Sequence, residues 1–353
     1  MNNDISYTEA VNKALIEVMS SKSECVCLGL GINDPKRIFG TTANLLEMFG
    51  EERVIEPPTS ENALTGIALG LAIKGFSVCL THQRLDFSLL SLDQIINSIS
   101  KWAFMFDSNA DTPLLIRLIV GRGWGQGPTH SQSFHSFLSS IPGLDVYYPT
   151  TPTSAYKTIK RAMTQGKPSI MIEHRWLHNS KEVDNEFRNE DYSIIEDMRC
   201  INEGSEFTIF TYGYMVAEAR KAVAYLKKYN LNVELISTEK LNDIKVALLI
   251  KSIQKTKNIL LIEPFYIECS LTSSICTSIL KSRFTTNLDL NYLDIIALPF
   301  ENESTSYFDT KYRYVNWTMI VKKICHVLNK EISIDIAPNK NHDVPGDWFK
   351  GPF

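Results

Sequence analysis

Arg53-Val54-Ile55-Glu56-Pro57-Pro58-Thr59-Ser60-Glu61-Asn62 is the stretch whose reading decides the fold. Arg53-Val54-Ile55 reads as a short strand, and two prolines stop it because neither can donate to a ladder. Ser60 is a favourable helix N-cap. Ala63, Leu64, Ile67, Ala68, Leu71 and Ala72 then recur at helical spacing. Glu61 therefore falls in the first turn of a helix, just beyond a strand end, where α/β sheets place ligand chemistry. Position alone fits two readings. One is an acid that complements the positive helix end, worth about 0.3–1 kcal/mol; the other is a functional carboxyl.

The same alternation continues on both sides. Residues 7–20 form an amphipathic helix with Ala10, Val11, Ala14, Leu15, Val18 and Met19 on one face. Cys25 to Leu30 is an apolar run that reads as a buried strand. A helix is expected at 41–49, a strand at 76–81, a helix at 88–104 and a strand at 114–120. The glycine-rich run from Gly121 to Gln132 enters a helix near Ser131, and strand 145–148, helix 152–165 and strand 169–173 complete a first unit. Acids then dominate 177–205, which reads as a linker holding one short strand. A second alternating unit has strands at 207–211, 232–236, 258–263 and 294–298, with helices at 215–228, 243–254, 269–281 and 316–329. Residues 332–353 carry three prolines and an aromatic end, with no period, and read as an extended tail that wraps a neighbour. The expectation is α/β with two doubly wound domains, 1–176 and 206–331, each on a mainly parallel sheet.

Composition narrows the function. The chain has 353 residues, enough for two ordinary domains. Its net charge of −4 argues against nucleic-acid binding. No stretch approaches the roughly 18 apolar residues a membrane span needs. Met1-Asn2-Asn3-Asp4 lacks the basic and apolar regions of a signal peptide. Seven scattered cysteines form no CxxC pair, and the expected location is a reducing cytoplasm.

Several catalytic motifs are missing: there is no GxxxxGK[ST], no HExxH and no GxSxG. Gly121, Gly123, Gly125 and Gly127 lie between a strand and a helix, as in an anion-binding turn, but their spacing is not GxGxxG. His130 falls at the start of the next helix, where the dipole would favour its neutral form. His174 and His178 are spaced i,i+4, yet no third metal ligand is evident, so a structural role is expected for them and for His135. Asp86-Phe87 comes after a strand end, and an aromatic there either stacks on a flat ligand or plugs the core.

Taken together, these stretches resemble one family, the beta subunit of the thiamine-diphosphate-dependent decarboxylating component of 2-oxoacid dehydrogenase complexes. The resemblance rests on Tyr7-Thr8-Glu9-Ala10, Phe49 to Ile55, Pro58-Thr59-Ser60-Glu61, Gly66 to Gly70, Asp86-Phe87, Asp93 to Asn97, Thr129 to Phe134, Ile141-Pro142-Gly143-Leu144 and Ile172-Glu173-His174. It continues more loosely through Thr211 to Val216 and Glu263-Pro264. It implies a pyrimidine-binding domain and, after it, a transketolase-C-terminal-like domain. It makes Glu61 the catalytic glutamate that shares a proton with the cofactor's aminopyrimidine, whose imino tautomer serves as internal base. It makes Phe87 the stacking aromatic, with Ser60 and Gln83 beside the cofactor, and His130 the histidine near the reacting centre. The family's Gly-Asp-Gly…Asn motif for Mg2+ and diphosphate is absent, so no metal is expected in this chain. An alpha-type subunit is expected to hold that half, in a two-plus-two heterotetramer with thiamine diphosphate at each interface. A lipoyl acyltransferase and a small 2-oxo acid are the further partners implied.

The chain also departs from the pattern. Gly29-Leu30-Gly31 replaces an acidic Gly-Glu-Asp, Ser140 stands at a histidine, Ser108-Asn109 replace a glycine pair, and Ile267-Glu268-Cys269-Ser270 replace a glycine-rich helix start. His82, Gln83 and Arg84 stand where apolar or aromatic residues are usual. Arg84 either receives a carboxylate or phosphate or faces solvent. These changes point to a polar donor. Two other readings stay open: a carboligase or transketolase-like enzyme of specialised metabolism without a lipoyl acceptor, and a non-catalytic scaffold.

Overall fold

Arg53 ties the start of the first sheet together. Its Nε donates to the Cys25 carbonyl at 2.9 Å, and its Nη2 donates to the carbonyls of Met19 and Lys22 at 2.6 and 2.8 Å. This is a computed structural model, describing residues 4–106, 111–123, 125–183, 198–306, 309 and 313–334. The described residues fall into two units, one within Met1–Gly121 and Gln132–Ile195, the other within Arg122–Ser131 and Glu196–Phe353.

The first unit runs β1 (Asp4–Ser6), α1 (Tyr7–Ser21), β2 (Cys25–Gly29), α2 (Leu45–Phe49), β3 (Val54–Ile55), α3 (Glu61–Ile73), β4 (Ser77–His82), α4 (Trp102–Met105), β5 (Leu114–Val120), α5 (His135–Ser139), β6 (Asp145–Tyr147), α6 (Pro152–Ala162), β7 (Ser169–His174) and β8 (Lys181–Val183). Six strands form one parallel sheet in the order β3-β2-β4-β5-β7-β6. Every residue of β2, β4, β5 and β7 is buried, so both faces are covered, and this is why these strands read as largely apolar rather than alternating, with Arg117 in β5 and Glu173 in β7 as buried charges. β1 and β8 pair antiparallel as a separate ribbon.

The second unit runs β9 (Arg199–Asn202), β10 (Phe207–Tyr212), α7 (Met215–Lys227), β11 (Val233–Thr238), α8 (Ala247–Thr256), β12 (Asn258–Tyr266), α9 (Leu271–Thr286), β13 (Tyr292–Leu298) and α10 (Trp317–Val327). Its sheet order is β13-β12-β10-β11-β9, parallel except for β9.

Two expected helices are shorter than predicted. The one at 41–49 begins only at Leu45. Ahead of it, Thr41 and Thr42 turn their hydroxyls to the carbonyls of Ile38 and Ile32, a local competitor to helix. The one at 88–104 divides into a 3-10 turn (Leu85–Ser91), a π-helical turn (Gln94–Ile99) and α4. Ser88, Ser91 and Ser100 each donate back to the carbonyl three or four residues earlier, loosening the ladder. Between 177 and 205, where one strand was expected, β8 and β9 stand at either end; residues 184–197, the tail from 335 and Ser108-Asn109 lie outside the described residues. Among the described residues no helix is long and apolar enough to cross a membrane.

The carboxyl end of the first sheet holds a polar core. Arg117 and Glu173 are fully buried and joined at 2.6 and 3.0 Å. His178, also buried, stacks on Tyr7 with centroids 5.6 Å apart, and burial holds its pKa well below the ordinary histidine value. The unfolded chain therefore takes up a proton that the folded chain refuses as pH drops through about 6.5. Stability contributed by His178 is present above that value and declines below it. Urea midpoints at pH 7.5 and 5.5 should fall less in His178→Phe than in the wild type. At Gly143, φ is +92° and an added Cβ would lie 2.0 Å from the Ser100 carbonyl oxygen. Gly143→Ala should lower stability by at least about 2 kcal/mol in the same measurement.

Candidate active site at the carboxyl edge of the first sheet

The deciding stretch is anchored at its start. The Glu56 carboxylate accepts from the backbone N–H of Gly31 (2.5 Å) and Asn33 (3.0 Å), fixing the loop after β2 beside the approach to α3. Ser60 stands at the N-cap, but its side chain makes no cap hydrogen bond. Its extended backbone (φ −163°, ψ 81°) replaces the expected cap, and the side chain is exposed. Glu61 opens α3 and is only 8 % exposed. Its backbone carbonyl accepts from Thr65 Oγ1 at 2.8 Å. Its carboxyl meets no hydrogen-bond or ionic partner among the described residues.

The end of β4 brings the next group. His82 is 4 % exposed, and burial pushes its pKa down to about 4. Its Nε2 is buried without a hydrogen-bond partner among the described residues. The Gln83 amide lies over Gly31, where an added Cβ would sit 1.7 Å from Gln83 Nε2. Gly31 has φ +73°, so both its conformation and the Gln83 side chain call for glycine there. Arg84 is half-buried, with Nη1 3.4 Å from the Gly121 carbonyl oxygen, which corrects the solvent-facing reading. Asp86 accepts through Oδ1 from the Gln132 N–H (3.1 Å) and Nε2 (2.9 Å), while burial raises its pKa. Phe87 is 38 % exposed, so it does not plug the core. Its 3-10 turn packs against α3, the helix that begins with Glu61.

His130 belongs to the second unit and closes a three-residue 3-10 turn, Pro128–His130. The next helix, α5, starts only at His135, so the helix-dipole argument for His130 does not apply. Thr129 Oγ1 lies 3.0 Å from His130 Nδ1. Gly123, Gly125 and Gly127 have positive φ, and at Gly127, where an added Cβ would meet Thr305 Cγ2 at 2.9 Å, close packing also calls for glycine.

Arg122, between two of those glycines, was not singled out in the sequence. It is fully buried and donates to the Tyr214 hydroxyl (2.9 Å) and the Pro264 carbonyl. Its guanidinium lies 5.1, 5.2 and 5.3 Å from the ring centroids of Tyr214, Phe265 and Tyr314. The available signal was a lone arginine in a run otherwise low in charge. His174 accepts from the Trp176 N–H at 3.3 Å, and His135 pairs with Ser133 at 2.7 Å. Among the described residues no group of three His, Cys, Asp or Glu side chains is placed to hold a metal.

A carboxyl on the first turn of α3 and an exposed aromatic on the turn packed against that helix are the kinds of group that meet the edge and the face of a flat nitrogen heterocycle.

The transketolase pyrimidine-binding domain model matches residues 3–180, and the transketolase C-terminal domain model matches 196–308. The 2-oxoisovalerate dehydrogenase subunit beta of Bacillus subtilis (strain 168) is 28 % identical over 310 residues, covering 86 % of this chain and 94 % of its own. The chloroplastic pyruvate dehydrogenase E1 component subunit beta-4 of Oryza sativa subsp. japonica is 30 % identical over 307 residues, covering 86 % and 74 %. A solved split-gene transketolase, described as an inactive beta4 tetramer, has the same fold, with a TM-score of 0.71 at 18 % identity over 93 % of this chain and 99 % of that one. Two transketolase-type domains in this order, matched over most of the chain, make it a member of the transketolase-like family that includes the beta subunits of pyruvate and 2-oxoisovalerate dehydrogenases.

Proposed function

We propose that the chain is the beta-type subunit of a thiamine-diphosphate-dependent enzyme that decarboxylates a 2-oxo acid and transfers the resulting acyl or aldehyde unit. The observation that carries this reading is Glu61, a largely buried residue on the first turn of α3 whose carboxyl has no partner among the described residues, on the helix against which the turn bearing exposed Phe87 packs. When bound, thiamine diphosphate supplies a carbon nucleophile and an electron sink for decarboxylation. Glu61 holds a proton against a ring nitrogen of the aminopyrimidine, and Phe87 carries the ring on its face. Gln83 and Ser60 line the same edge. His130, oriented through Nδ1 by Thr129, moves a proton near the reacting carbonyl.

An alpha-type partner holds Mg2+ and the diphosphate in a two-plus-two assembly. The support is the sequence, which lacks the Gly-Asp-Gly…Asn motif. A lipoyl acyltransferase is the acceptor in this reading. His82 and Arg84, polar residues where apolar ones are usual, support a second reading: a carboligase that joins the unit to a small molecule instead. All seven cysteines are free, in keeping with a reducing, cytoplasmic setting.

In the assembled enzyme, Glu61→Gln should leave subunit association intact and slow deuterium exchange at the thiazolium carbon by about 100-fold or more. Normal exchange, with only a stability change near 0.3–1 kcal/mol, would return Glu61 to the role of a helix-end acid. The isolated chain should show little Mg2+-dependent uptake of thiamine diphosphate in calorimetry, whereas the copurified complex should bind it. Tight binding by the chain alone would contradict the half-site.

A further inference from the structure

We propose that Arg122 is a positioning residue for His130: it fastens the loop that carries His130 to the second unit, and the proton transfer by His130 depends on that anchor. This rests on the role of His130 given above.

The chain leaves the first unit after β5, and Arg122–Ser131 belong to the second. Gly123, Gly125 and Gly127 in that loop have positive φ. Glycine loses more conformational freedom on ordering than any other residue. Such a run keeps one shape only where contacts outside it fix the chain.

Arg122 supplies the first of those contacts. Its side chain is fully buried, and Nη2 donates to the Tyr214 hydroxyl at 2.9 Å and to the Pro264 carbonyl. The Tyr214 hydroxyl donates to the same carbonyl at 3.2 Å. The guanidinium lies over the rings of Tyr214, Phe265 and Tyr314, and a desolvated cation against aromatic rings is held more firmly than one at the surface. The Tyr314 hydroxyl in turn donates to Glu303, whose carboxylate is 3.1 Å from Arg313 Nε. Tyr214 follows β10, Pro264 and Phe265 lie in β12, and Tyr314 precedes α10. One side chain therefore ties the loop to three separate parts of the second unit.

The attachment runs on toward His130. At Gly127 the space for a Cβ is taken by Thr305, so the backbone lies against that residue. The His130 N–H donates to the Gly127 carbonyl at 3.3 Å, closing the turn that bears the imidazole. By Gln132 the chain is back in the first unit, where Asp86 accepts from it twice. Removing the Arg122 side chain frees the glycine-bearing start of the loop, and His130 loses its fixed position. An arginine that only filled the second unit would damage the whole enzyme when removed. A positioning arginine damages the step that uses His130.

The test uses the chain assembled with its copurified partner, as wild type, Arg122→Met, Arg122→Lys, His130→Ala, and Arg122→Met combined with His130→Ala. Amide hydrogen exchange, read by mass spectrometry without thiamine diphosphate, should quicken about tenfold or more within 123–131 of Arg122→Met and stay within about twofold in α3 and β5. With thiamine diphosphate and ferricyanide as electron acceptor, CO2 release is read from the fastest of pyruvate, 2-oxobutyrate, 2-oxoisovalerate and 2-oxoglutarate. Arg122→Met should lower kcat about tenfold or more, no further than His130→Ala does, with KM within about threefold. The double variant should match His130→Ala, because a residue that acts through His130 then has nothing left to position. Exchange at the thiazolium carbon, the Glu61 step, should stay within about twofold. Arg122→Lys keeps a cation against the rings and should recover part of both losses; where the methionine variant does not assemble, the lysine variant carries the same comparison with effects of about threefold. Unchanged amide exchange in the loop overturns the inference. So does a double variant that loses the product of the two single effects, or thiazolium exchange that falls as far as kcat. Full activity in His130→Ala, or CO2 release from none of the donors, also overturns it, and exchange that depends on Glu61 then preserves the reading of that residue. Exchange that ignores Glu61→Gln fails that reading instead.

Discussion

Arg117 and Glu173 set the terms for the first unit. Each is fully buried, on adjacent strands β5 and β7, and neither charge could remain there without the other. The bond is two-pronged, and Arg117 Nη1 also lies 3.5 Å from Thr81 Oγ1 on β4. Removing one partner would strand the other at a cost of about 3–5 kcal/mol. The pair therefore holds three central strands in one register. The residues just past each strand emerge at a fixed height: Gln83 and Arg84 after β4, Gly121 after β5, and Arg175 after β7. A one-residue slip would turn each of these side chains to the opposite face.

Glu61 shows how much of the site the sequence carries. Pro57-Pro58 ends a strand, and helical spacing resumes after Ser60, so Glu61 could be placed at the start of α3 from residues alone. The buried strands were legible for a similar reason. Cys25–Gly29, Leu114–Val120 and Phe207–Tyr212 are mostly apolar runs without strict alternation because both faces are covered. The breaks within 85–105 were not legible, because the serines that bend the chain have acceptable helix propensity and act through carbonyls of the preceding turn. The pairing of β1 with β8 was hidden because it joins residues some 177 positions apart, with no local pattern to announce it.

Long side chains were the hardest to read. Arg122 looks like a surface charge among glycines, yet three rings and two acceptors far along the chain enclose it. Nothing within ten residues of position 122 supplies those rings. Phe87 posed the converse problem: an aromatic after a strand suggests core, and only tertiary placement leaves it exposed. Gly31 shows the same limit in a small residue. Its replacement of an acid gains a physical reason once the Gln83 amide is found in the space a Cβ would take.

Loops past the strand ends are where change is least costly to the fold. Within β2, β4, β5 and β7 a substitution opens a cavity or overfills a packed layer, at about 1–5 kcal/mol each. At the end of β4 and just past the end of β2 the packing is local, with the Gln83 amide over Gly31. Glu61 differs from these in opening a helix, where its carboxyl has no protein partner among the described residues. A chain 28 % identical to a dehydrogenase beta subunit thus keeps both transketolase-type domains.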